Sequence, residues 1–491
     1  MSISFNEIPN SLLVPGFWTE FDNSNAGGNP AMPWKILLIG SMLSASGSAQ
    51  ANIPVQVFSG DQADVLFGKG SQAALMARAF LKNNTILPLY VAGVADGTAA
   101  AHVDIPAADI TASNVEAGAL NIMVGGQSII ASVGYHATVQ GVMSAIVDAI
   151  NDAENLPVTA ALDPASSSTK IVVTAKNKGT AGNSIAVDFN FYEGEVMPEG
   201  LSVASQHYQL AGGSGDPDVS DVIENIGAQW FNIIVTAFDG SLNAIRDELD
   251  SRWTATRQMT GVCFYGYNGA ESGVKTKANK NSQVCVCLPL CKSPTTTFEI
   301  AGACAGAIST HAEADPAMPL SNWVIKGIVA PKNEDRLSMA QENQLLLDGA
   351  SLINADASGN VYMRRIVTTY LKNSAGGSDT SYQQLETIFT LSFLRWDWNN
   401  YMAGKYPHAK LAQDGYTYGP GQVVMTPKRG KAEALARFAY WQELALVQNY
   451  DDFKANLVVE INPSNKNRLD FLLPATLMGQ LFTCASKIQF K

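Results

Sequence analysis

Few residues of this chain have the types and spacing that chemistry requires. Gly68–Ala73 (GKGSQA) fits G-x-G-x-x-A, the pattern in which a helix N-terminus receives a dinucleotide pyrophosphate. That use needs a buried strand ending at the first glycine and an acid about 20 residues further on. The preceding GDQADVLF reads instead as a turn and a helix start, and Tyr90–Val94 stands where the acid would be. The phosphate-loop pattern G-x4-G-K-[ST] and the nucleophile elbow G-x-S-x-G are both missing. Five of the six cysteines fall between Cys263 and Cys304, in segments that read as apolar strands or loops. Cys285, Cys287 and Cys291 are spaced C-x-C-x3-C, without the paired C-x2-C knuckles of a zinc site, so they read as reduced, buried thiols. The histidines, His102, His136, His207, His311 and His408, share no ligand spacing. Acid pairs such as Asp216 with Asp218, or Asp247 with Glu248, sit where helix starts and exposed faces place them. No catalytic, metal or cofactor constellation emerges, and the weight moves from enzyme to structural protein.

One charged cluster remains. Lys428, Arg429, Lys431 and Arg437 lead into a helix read over Lys431–Val447. They are either a solvated helix face or a docking surface for an acidic partner.

Composition points the same way. The 491 residues suggest about three domains at roughly 150 residues each. Charged residues make up 15%, against about 25% in ordinary soluble proteins. So large and so little charged a chain is expected to cover much of its surface with other chains. The net charge of −12 argues against nucleic acid, whose phosphates call for a basic stripe. No apolar run reaches the ~18 residues of a membrane span. MSISFNEIPN lacks a basic segment followed by an apolar one, so the expected compartment is the cytoplasm.

The elements that would position these residues alternate in kind. Residues 1–25 read as an arm in which Ile3 and Phe5 alternate with polar neighbours, followed by a NSNAGGNP hinge. Trp34–Gly40 reads as a buried strand, Asp61–Asn84 as helical and Pro88–Gly93 as a returning strand, an α/β beginning over 26–100. Over 101–214 the runs Leu120–Val124, Ser128–Val133, Lys170–Thr174 and Ile185–Phe191 are β-type, with one helix at Val139–Asp152. This stretch reads as an α+β insertion. It carries most of the acid excess, within a longer block, 101–250, that holds 19 acids and 4 bases. The α/β pattern resumes over 215–330. Residues 331–468 form a third region, with a strand at Val361–Tyr370 and helices at Leu385–Tyr401 and Lys431–Val447. Pro463–Arg468 reads as a flexible joint before a second arm at 469–491, in which Phe482, Cys484, Ile488 and Phe490 share one face. The fold class is α/β and α+β multidomain. Arms too short to form a sheet alone are natural strand donors.

The chain also resembles the contractile-tail sheath proteins of Mu-like phages. The likeness rests on SFNEIPNSLLVPGFWTEFDNSNA, LFGKGSQAALMARAF, KGTAGNSIAVDF, GNVYMRRIVTTY with SDTSYQQLETIFTLSFLR, and NPSNKNRLDFLLPATLMGQLFTCASKIQF, in that order along the chain. It implies an α/β sheath core, an inserted β-rich domain facing outward, and N- and C-terminal arms that add strands to neighbouring subunits. It further implies hexameric rings stacked around a tail tube, with baseplate and tail terminator proteins as partners. The sheath would be a virion tail component assembled in the host cytoplasm, contracting from a metastable extended state without nucleotide hydrolysis or membrane insertion. Residues Lys428, Arg429, Lys431 and Arg437 would then face the tube. Competing readings are the sheath of a related injection machine, such as a bacteriocin or secretion device, a dinucleotide-binding α/β enzyme, and a tail adhesin.

Overall fold

Strands that are apolar on both faces must be covered on both faces, and they set the centre of this fold. The computed structural model describes residues 32–163 and 169–490. In it, Cys285–Pro289, Val262–Tyr267, Ile233–Thr236, Ile36–Ser41 and Leu89–Val94 lie side by side in that order, all parallel. Val55–Val57 completes the six-stranded sheet antiparallel to Leu89–Val91. Ile36 stands opposite Ile233 on one side and Leu89 on the other.

The two-residue period of the strands divides two cores. Ile36, Leu38, Val235, Phe264 and Val286 face a core shared with helices Gln72–Leu81 and Thr297–Ala314. Leu37, Ile39, Ile234, Cys263 and Cys285 face the other, closed by helices Ser220–Ile226 and Leu242–Trp253.

The helical stretch expected at Asp61–Asn84 is two helices, Gly60–Phe67 and Gln72–Leu81. Gly68 (φ +86°) and Gly70 (φ +75°) break it in a conformation that favours glycine. Helix Thr297–Ala314 has no counterpart among the sequence expectations. It carries Cys304, is buried on nearly every side, and lies against helix Gln72–Leu81 through Gly302 and Gly306. A Cβ on Gly306 would stand 2.5 Å from the Phe80 carbonyl, so only glycine permits this approach.

Between Leu89–Val94 and Ile233–Thr236 the chain builds separate sheets. Ala100–Pro106, Lys170–Lys178 and Val158–Leu162 form one, with Lys170–Lys178 in the middle. His207–Gln209, Ala186–Phe189, Gly118–Val124 and Gln127–Val133 form another. Helix Val139–Asp152 begins at Thr138, whose side chain accepts from the Gly141 N–H, and buries Val142, Met143, Ile146 and Ile150 in a core belonging to this region. Ala99 bridges Ser214, so the chain leaves and returns at one place.

Helix Leu385–Lys405 is about 30 Å long at 1.5 Å per residue. Leu385, Ile388 and Phe389 enter the main core, while Leu394 joins a smaller one with Ala434, Phe438, Trp441 and Phe453. The next helix runs over Pro427–Glu443, four residues earlier than expected at each end. Its start is chemically plain: the Thr426 hydroxyl accepts from the Arg429 N–H and proline takes the first position.

The expected joint at Pro463–Arg468 is instead the turn of a hairpin pairing Val458–Ile461 with Leu469–Leu472. Asn462 Oδ1 accepts from the Ser464 and Asn465 N–H groups and closes it. Thr476–Leu477 then pairs with Val447–Gln448. Chain without a ladder therefore begins only at Met478.

Candidate functional site

The G-x-G-x-x-A segment is occupied by the protein itself. Ser71 caps helix Gln72–Leu81 by accepting from the Ala74 N–H at 3.1 Å. The next free donor, the Gln72 N–H, is taken by Asn177 Oδ1 at 3.0 Å. Asn177 Nδ2 donates to the Met42 carbonyl and to Asp96, and a Cβ on Gly70 would meet the Leu156 carbonyl at 2.3 Å. The glycines thus serve close approach between the α/β sheet and the 100–211 region. The helix N-terminus that would hold a pyrophosphate is filled by an asparagine.

The central thiols are buried and free. Cys263 stands opposite Cys285 across the parallel ladder. Burial raises the Cys285 thiol to about 11 and those of Cys287 and Cys291 to about 12. It raises Cys263 and Cys304 as well. Thiols so placed are protonated and packed as small apolar side chains. Among the described residues no group of three or more His, Cys, Asp or Glu is placed to hold a metal. Among them, too, no helix is long and apolar enough to cross a membrane.

The other candidates are structural in the same way. Asp216 accepts from the Thr180 N–H and hydroxyl and from the Gly240 N–H. Asp218 accepts from the Ser220 N–H and hydroxyl at the start of its helix. Glu248 binds Arg252 and Arg257. His207 Nδ1 lies 2.6 Å from Asp188 Oδ1, and that hydrogen bond raises the imidazole pKa. His311 stacks on Trp323.

The basic cluster separates. Lys428 and Arg429 are exposed and Lys431 half-buried, whereas Arg437 is 6% exposed. Arg437 Nε donates to Asp397 Oδ2 at 2.6 Å, its Nη2 donates to the other oxygen, and Trp441 Nε1 donates to Oδ2 at 2.6 Å. Its guanidinium also lies over the rings of Tyr401 and Tyr440. Arg437 therefore ties two helices together and presents no charge to a partner.

The C-terminal tail lacks the backbone partners that the described strands and helices have. No residue from 483 to 490 makes a hydrogen bond within the described chain. Cys484 is exposed, Ile488 is 89% exposed and Phe490 94%, while Phe482 is half-buried. Ile3 and Phe5 lie outside the described residues. The hairpin beside the tail is also open: Val458 and Leu472, opposite each other in the ladder, are both exposed. Sequence reasoning misses that hairpin. Its signal is VVEI and LDFL flanking a turn rich in asparagine and proline.

It misses two buried carboxyls as well. Glu299 hydrogen-bonds Thr296, and Glu386 accepts from the Leu320 N–H. Burial raises both to about 7. Neither faces a nucleophile or a cleft with a second acid, and neither builds a catalytic pair.

Comparison with known proteins bears on the family. Residues 212–369 match the family model of the phage tail sheath protein central domain. Over 494 positions the chain is 34% identical to the Mu-like prophage FluMu tail sheath protein of Haemophilus influenzae, with all of both chains covered. The solved sheath tail protein of Desulfitobacterium hafniense aligns with a TM-score of 0.47 at 13% identity, covering 94% of this chain and 100% of that one. That of Listeria innocua aligns with a TM-score of 0.45 at 13% identity, covering 88% and 89%. The full-length identity decides the matter: the chain belongs to the tail sheath proteins of Mu-like phages, a family of structural virion components and not of enzymes.

Proposed function

We propose that copies of this chain form six-membered rings stacked around a tail tube and linked by exchanged strands. The single observation that carries this is the tail 483–490, unpaired and outside any ladder, with its apolar side chains in solvent. A segment in that condition finds no backbone partner among the described residues and can gain one from another chain, where alternate side chains fix its register. Cys484, Ile488 and Phe490 fall on one side of such a strand. The open hairpin Val458–Ile461 with Leu469–Leu472 supplies edges that could accept it. The N-terminal arm, through Ile3 and Phe5, plays the same part.

In this reading 101–214 is an acidic domain on the outside, set into an α/β core of 26–100 and 215–330. Residues 331–468 face inward. Lys428, Arg429 and Lys431 then address the tube, and Arg437, neutralised by Asp397 inside the chain, does not. The sheath is built extended in the host cytoplasm, capped by terminator and baseplate proteins. It is trapped above a second packing of the same subunits until the baseplate releases it. Contraction drives the tube through the host envelope with no cofactor, nucleic acid or membrane insertion.

Deletion of 480–491 tests the reading. The expected product is a folded monomer that forms no cylinders by negative-stain microscopy. Normal cylinders from the truncated chain would refute strand donation.

A further inference from the structure

The tail must leave the folded body at a defined residue. A slip of one position would turn Ile488 and Phe490 to the opposite face of any sheet they join. The last backbone ladder ends at Leu477, opposite Val447. Beyond it the Met478 N–H reaches the Leu446 carbonyl at 3.0 Å, and Gln480 Nε2 reaches the Ala317 carbonyl at 3.4 Å. The final grip is on Phe482, whose ring lies under the Arg365 guanidinium, 4.9 Å from its centroid. Leu481, one residue earlier, is 79% exposed, and from Thr483 onward the chain is held by nothing among the described residues.

Arg365 is itself well placed to act as a fixed post. It ends the strand Val361–Arg365, paired with Leu352–Ala355. Its Nε donates to Gln384 Oε1 at 3.3 Å, and Gln384 is the residue from which helix Leu385–Lys405 starts. The Glu386 carboxyl, fully buried with Oε2 unpartnered, lies two residues further along that helix. The cation thus stands at a strand end and is tied to a helix start through Gln384, while its other face covers the root of the tail.

We propose that Arg365 and Phe482 form the anchor that sets where the donated strand begins, and with it the strand's register on the neighbouring copy. This rests on the strand-exchange reading above and adds the residues that position the strand. Neither residue touches the neighbour in this role. Phe482 stays with its own body, and Thr483–Phe490 is the donated segment. A cation over an aromatic ring suits such a post because it holds the ring while leaving the backbone beyond it free to turn. Without it the free segment lengthens back to Gln480, which lowers the effective concentration of the strand at its acceptor.

The test uses the full chain and its cysteines. Cys484 is exposed and the other five are buried, so a nitroxide maleimide labels position 484 selectively. Arg365→Ala and Phe482→Ala are compared with the parent and with Phe482→Tyr, which keeps the ring. The expected monomer thermal midpoint is unchanged for Phe482→Ala and somewhat lower for Arg365→Ala, which also loses its hydrogen bond to Gln384. The critical concentration for polymerisation rises roughly three- to tenfold, a range that follows from the usual strength of such a contact. The label in assembled sheaths shows mixed mobilities where the parent shows one, and Phe482→Tyr restores both readings. Parental critical concentration and a single label mobility in Phe482→Ala would overturn the anchor, whatever Arg365→Ala does to the fold. A chain lacking 483–490 separates the two readings. If it still assembles, strand donation fails. If it does not assemble while both alanine variants behave as the parent, only the anchor fails.

Discussion

Arg437 reaches from helix Pro427–Glu443 to the Asp397 carboxylate on helix Leu385–Lys405, and both side chains are withdrawn from water, at 6% and 3% exposure. With Trp441 donating to the same carboxylate, the pair forms the polar centre of the C-terminal core. Removing one partner leaves the other charge buried alone. Asp397→Ala is therefore expected to cost about 3–5 kcal/mol, read as a lower denaturant midpoint. A loss below about 1 kcal/mol, the range of exposed pairs, would show that the pair is solvated in solution.

The buried acids Glu299 and Glu386 give the folded chain a pH dependence of definite sign. Their carboxyls titrate near 7 in the folded state and from an ordinary value of 4.5 when exposed. Between those values the folded chain holds protons that the unfolded chain has released, so stability falls as pH rises through that window. Glu299→Gln and Glu386→Gln should each flatten the slope and exceed the parent at pH 8, by at most about 3 kcal/mol per site. Denaturant midpoints from pH 4 to 8 check this, and parallel curves for parent and variants would contradict it.

The glycine at position 70 is expected to tolerate no side chain. Its φ of +75° opposes one, and so does the Leu156 carbonyl, which would lie 2.3 Å from a Cβ there. Gly70→Ala should cost about 2–4 kcal/mol and loosen the contact between the 100–211 region and the sheet. Limited proteolysis between Asp96 and Asp216 reports the loosening, and a parental cleavage pattern would count against it.

Thiol chemistry should separate one cysteine from five. With a disulfide reagent in excess, Cys484 is expected to react at once, and Cys263, Cys285, Cys287, Cys291 and Cys304 only on unfolding. Fast reaction of a second thiol in the native chain would contradict the packing around Cys263 and Cys285.

How much can be read from the residues alone follows from how strongly each segment is constrained. Ile36–Ser41 is legible because both of its faces are covered, leaving an unbroken apolar run. Val139–Asp152 is legible to the residue because one face is apolar at helical spacing and Thr138 caps it. Thr297–Ala314 is not, because a helix buried all round has no polar face to mark its period, and its glycines read as loop. Arg437 groups with its basic neighbours in the sequence because its partner Asp397 is remote along the chain, and no spacing reveals the pair. Pro463–Arg468 reads as a joint because a closed asparagine turn and a flexible linker have the same composition.

The central claim is that backbone pairing between copies is made by the tail. Amide hydrogen exchange over 483–490, measured in the free subunit and in the assembled sheath, tests it most directly. The account predicts exchange at the rate of unstructured chain in the free subunit and strong, alternating protection after assembly. Unprotected amides from Thr483 to Phe490 in intact sheaths would contradict it.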